Sequence, residues 1–166
     1  MPEALMNALR CRSPHIRARW AELLHVEPVA TPLANPDALV HLIDWTLNEI
    51  FQSLVSQSSH RRFRRRIASA THDHECCGRN PLLTYFSAGE QAMREALILV
   101  QAATPSLDPM ERDASLEELN IVLNYIARRE IQAFCGVCQH RCTETPAPRD
   151  VCMAESVGSI LGSPGT

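Results

Sequence analysis

Seven cysteines and seven histidines are the residues of this 166-residue chain whose chemistry goes beyond packing, and most of them gather in two clusters. The first is His72, His74, Cys76 and Cys77; the second is Cys135, Cys138, His140 and Cys142, which reads C-x2-C-x-H-x-C. Thiolates at this spacing can turn around one soft ion with both sulfurs inward, the arrangement that zinc and iron–sulfur sites use. The candidate metal ligands are therefore Cys76, Cys77, Cys135, Cys138 and Cys142. His74 and His140 rank behind them, with His72 beside them, because a histidine in a polar loop is more often solvated than ligating. Of the adjacent Cys76 and Cys77 one should dominate, since neighbours rarely both point at one ion. Cys11 and Cys152 have no neighbours of the right type and read as packing residues.

Five sulfurs and three imidazoles exceed what one tetrahedral ion needs. Zinc with three or four sulfurs fits most simply. An iron–sulfur cluster takes the same ligands and would make a redox or gas sensor. Copper(I) also favours thiolates. No H-E-x-x-H arrangement occurs, so a catalytic zinc is not expected.

The rest of the composition narrows the class. All 16 basic residues are Arg and none is Lys, which removes Schiff-base chemistry and a P-loop lysine. No Gly-rich phosphate loop and no G-x-S-x-G elbow is present. The net charge of −3 gives no general drive toward nucleic acid or anionic lipid. No run of 18 apolar residues offers a membrane span, and the first 20 residues lack the apolar core of a secretory signal. The expectation is a cytoplasmic protein, where disulfides are disfavoured and clustered cysteines read as metal or redox sites.

One basic run departs from this balance. Arg61, Arg62, Arg64, Arg65 and Arg66 surround Phe63. They could contact phosphates, meet an acidic protein surface, or form a solvated helix face with Phe63 and Ile67 turned to the core. No second aromatic interleaves the run to stack bases, so nucleic-acid binding is not expected.

The elements that must position the clusters are helices. Ser13-Pro14, Asn35-Pro36, Asn80-Pro81 and Asp108-Pro109 each pair a capping residue with proline at the first helical position. They open helices expected over about 14–26, 36–56, 81–103 and 109–134, with apolar residues at helical spacing. A short helix is expected around 60–66. No alternating β-branched segment appears. The fold class is therefore all-α, a single-domain bundle of four to five helices over 1–142, with 143–166 as a flexible tail.

Helix arithmetic then joins the clusters. A short loop near Pro105–Asp108 should make the last two helices a long C-terminal antiparallel hairpin. Cys77 lies 28 residues before Pro105 and Cys135 lies 27 residues after Asp108. At ~1.5 Å per residue both arms climb roughly 40 Å and end together. Cys77 or Cys76 should then approach the second cluster.

The layout also resembles a known family. A helix with Trp20, Leu23 and Leu24 in a W-x2-L-L pattern precedes a proline-containing loop. A long helix beginning Asn35-Pro36-Asp37-Ala38-Leu39 follows, and then a pair of long helices. Over residues 14–134 this resembles the non-heme globin-like sensor domain, of the RsbR group, found ahead of stressosome-type regulators and some sensor kinases. The resemblance implies an all-helical, often dimeric signalling module. The chain departs from that family in having no phosphorylatable output domain after the helices and in carrying the cysteine clusters. Output would then go through a protein partner.

Three functions follow as expectations. The first is a small metal-binding regulatory or sensor protein, not an enzyme. The second is a thiol redox enzyme or a metal-trafficking protein. The third is a metal-free helical interaction module.

Overall fold

A computed structural model describes residues 1–26, 34–56 and 80–144, with side chains through 137. Everything described is helix or short connection, with no strand among these residues. The helices are α1 (Glu3–Cys11), α2 (Ser13–Val26), the single-turn α3 (Pro36–Leu39), α4 (Ile43–Val55), α5 (Pro81–Ala102) and α6 (Pro109–Glu144). A 3-10 turn, Val40–Leu42, joins α3 to α4. No helix among the described residues is long and apolar enough to cross a membrane.

The first helix is not among those expected from the sequence. Leu5, Met6 and Leu9 form its buried stripe, at the i, i+1, i+4 spacing of an amphipathic helix. Its presence changes the role of Ser13. Instead of capping α2, the Ser13 hydroxyl donates back to the Arg10 carbonyl at 2.6 Å. The Arg12 carbonyl accepts the N–H groups of His15 and Ile16, so a single residue, Arg12, separates α1 from α2.

The other three helix starts follow their sequence signals. Asn35 Oδ1 accepts the Asp37 N–H at 3.0 Å, and Asn80 Oδ1 accepts the Leu82 N–H at 2.9 Å. At α6, Asp108 Oδ1 accepts from the Met110 N–H while Glu111 Oε2 accepts from the Asp108 N–H. That is a reciprocal capping box, which satisfies two of the donors a helix start leaves open.

The core centres on Trp20 of α2. Its ring lies over α5, and its indole Nε1–H donates to the Tyr85 carbonyl at 2.9 Å. Gly89 makes that seat possible: a Cβ there would stand 2.1 Å from Trp20 Cζ2. Tyr85 extends the contact to α4, its hydroxyl 2.8 Å from Thr46 Oγ1, and burial pushes its phenol well above the usual value. Ile16, Leu24, Leu47, Ile50, Met93, Leu97, Leu119, Val122 and Ile126 fill the space around it.

Contacts between α5 and α6 fall in a consistent order. Gln101 donates to the Arg112 carbonyl, Arg94 to Asn120 Oδ1, and Asn80 to the Ile131 carbonyl. On α5, Glu90 meets Arg94, and Glu95 pairs with Arg19 of α2 at 2.8 Å.

The largest difference from expectation is the length of α6. Its backbone stays helical to Glu144, about ten residues beyond the end expected near Phe134. The expected end near Phe134 rests on C-x2-C-x-H-x-C forming a turn around an ion. Nothing in that stretch breaks a helix: no proline occurs before Pro146, and the one glycine is Gly136. The expected short helix at 60–66 and the tail beyond 144 lie outside the described residues.

Candidate functional site

The helical course of α6 alters what its cysteines can do. Cys135, Cys138 and Cys142 stand at i, i+3 and i+7, so their backbone positions share one side of the helix. Successive rises of ~4.5 Å and ~6 Å separate them along the axis. Backbone positions 135 and 138, and 138 and 142, are each about one helical turn apart rather than gathered at a turn.

Cys135 is the member whose side chain is described. It is 6% exposed, and Asn80 Nδ2 donates to its Sγ at 3.4 Å. Asn80 is itself 4% exposed. It is the residue before α5 and the third after Cys77. The start of α5 therefore meets α6 at Cys135.

The other expected ligands cannot be located in the same way. Cys76, Cys77, His72 and His74 lie outside the described residues, as do Cys152 and the run from Arg61 to Arg66. The side chains of Cys138, His140 and Cys142 also lie outside them. Among the described residues, no three His, Cys, Asp or Glu side chains come together to hold an ion. Cys11 is exposed at the end of α1, so it is not the buried packing residue that the sequence suggested.

A second feature was missed in the sequence. A cleft of about 550 Å³ runs between α2 and the start of α4, lined by Pro14, Ala18, Ala21, Val40 and Ile43, with Arg17, His25 and Asp44 among its polar groups. Arg17 Nε stands 3.2 Å from Asp44 Oδ1. His25 Nδ1 lies 2.7 Å from the Ala21 carbonyl and Nε2 lies 3.4 Å from Asp37 Oδ1. Both neighbours are acceptors, so they favour the doubly protonated ring, and the Ala21 carbonyl and then Asp37 raise the His25 pKa. Small residues at 14, 18 and 21 on one face of α2 were the available signal. They read as ordinary helix positions without knowing that α4 begins opposite them.

Comparison with protein-family models, with curated proteins and with solved structures gives no match for this chain.

Proposed function

We propose that the chain is a small metal-binding helical regulatory or sensor protein whose ion is held between the start of α5 and the end of α6. The observation that carries this is the contact between Asn80 and Cys135. Asn80 is tethered to Cys77 by three residues, a chain that spans at most about 10 Å. Cys138 stands one turn of α6 from Cys135, a rise of ~4.5 Å. Cys76 or Cys77 can thus supply the ligands that a row of thiols on one helix lacks. An antiparallel course of α5 and α6 accounts for the order of their contacts. It also turns equal arm lengths into proximity.

Zinc is the ion of choice, because three or four thiolates satisfy it without redox chemistry. An iron–sulfur cluster and copper(I) are the alternatives. The sensor role, a cytoplasmic setting and a protein partner extend this reading along the RsbR-type resemblance. The thiol-exchange alternative is weakened by the burial of Cys135, since a sulfur shielded from solvent is a poor nucleophile toward outside partners.

The test is the metal content and visible absorption of protein purified without oxygen. Colourless protein with stoichiometric zinc is the expected result. A brown, iron-containing protein would reassign the ion. Metal-free protein of undiminished stability would leave a helical interaction module in which the cysteines pack.

A further inference from the structure

The cleft between α2 and the start of α4 sets paired charges over an apolar floor. Pro14, Ala18, Ala21, Val40 and Ile43 form the floor of a space of about 550 Å³. A concave, mostly apolar space of this size with a few converging polar groups is the usual form of a small-molecule site. At one end Arg17 and Asp44 both line the cleft, with Arg17 Nε 3.2 Å from Asp44 Oδ1. Their side chains are 53% and 65% exposed, so water screens the pair and its mutual hold is weak. Arg17 reaches Asp44 through Nε, which turns the fork of its two terminal nitrogens to a second carboxylate. At the other end His25 stands beside Asp37.

We propose that this cleft binds a free α-amino acid with a large apolar side chain. The ligand's carboxylate lies on the Arg17 fork, its ammonium group lies on the Asp44 carboxylate, and its side chain lies on the floor toward His25. Charge balance selects this class. An acid without an amine would bring its carboxylate to Arg17 and so beside Asp44. An amine without a carboxylate would meet Arg17 beside Asp44. In each case a like charge stands about as near as the opposite one and cancels its pull, and a phosphate would meet Asp44 with more negative charge still. An α-amino acid carries both charges on one carbon and satisfies both side chains. On α2 the eight-residue step from Arg17 to His25 rises ~12 Å, which gives a branched or aromatic side chain room over Ala18 and Ala21. The site uses none of the thiols and stands apart from the metal reading.

Amide NMR of the full chain tests this, with L-leucine and L-phenylalanine as probes. Either should give saturable shifts at Ala18, Ala21 and Ile43. Isocaproate, which is leucine without its amine, and isoamylamine, which is leucine without its carboxylate, should each bind at least about fivefold more weakly, the scale of an exposed ion pair. Glycine, which has no side chain to lay on the floor, should bind more weakly than leucine. Arg17→Gln and Asp44→Asn should each weaken leucine about fivefold. Ala18→Leu, at an exposed position on the cleft wall, should fill the space and abolish the shifts while the melting temperature holds. No saturable response to leucine or phenylalanine would overturn the site, and so would a response that survives Ala18→Leu. Equal binding of leucine and either analogue would overturn the amino-acid assignment.

Discussion

Gly89 and Gly136 are both glycines inside helices, yet they should respond oppositely to the same substitution. A methyl group at Gly89 would enter the Trp20 ring, whereas a Cβ at Gly136 meets nothing within 4 Å. Gly89→Ala should therefore destabilise the protein by about 1–3 kcal/mol through overpacking. Gly136→Ala should stabilise it by up to about 1 kcal/mol, the helix-propensity difference. Urea denaturation of the two variants checks both signs. His25 carries a prediction about pH at the same scale. Its pKa is raised in the folded state, so its contribution is complete below the ordinary histidine value and is lost as pH rises through the folded one. The effect is small because the ring is solvent-exposed. An NMR titration should give His25 a midpoint above that of a histidine in an unfolded peptide, and Asp37→Asn should lower it. The sequence could not foretell this pair. Its two members come from α2 and α3, and only their approach across the α2–α3 connection makes them partners.

At the scale of the element, three helix starts and most helix ends were readable, while the start of α2 and the end of α6 were not. Asn35, Asn80 and Asp108 cap as their position before proline suggested. Ser13 does not, because α1 occupies the chain immediately before it; that helix starts behind Pro2 with no side-chain cap. At the end of α6 the metal-ligand pattern suggests a turn, but no proline follows before Pro146 and the helix runs on to Glu144. The caps are unequal in consequence. Asn35→Ala removes an exposed cap and should cost ~0.5–1 kcal/mol. Asn80→Ala removes a cap and also the donor to Ile131 and Cys135, in a buried place. Its loss should exceed ~2 kcal/mol, a cap plus an unsatisfied buried group. Thermal melts of the two variants, compared at equal protein concentration, measure the difference.

For the whole molecule, the issue is whether the proposed ion is part of the fold. If it is, binding free energy is folding free energy. Chelation should then lower the melting temperature, and Cys138→Ser should do the same, while Cys11→Ser, at an exposed thiol remote in sequence from both clusters, should leave it unchanged. Equal and negligible shifts in all three experiments would leave the cysteines as packing residues. The all-helical class was legible in the sequence, because apolar residues recur at helical spacing behind proline-marked caps. The helical course of the backbone from Cys135 to Cys142 was not, because C-x2-C spacing suits a turn and a helix alike.

Trp20 and Trp45 are the protein's only tryptophans. The first is fully buried and hydrogen-bonded to the Tyr85 carbonyl, and the second is 55% exposed on α4. The molecule thus carries two optical probes in opposite surroundings. Its emission should resolve into a blue component shielded from acrylamide and a red component that acrylamide quenches. Trp45→Phe should leave the blue component alone. That remaining signal reports the seat of α2 on α5, so a partner or an ion acting at the far end of α6 can be followed by whether its arrival is felt at Gly89.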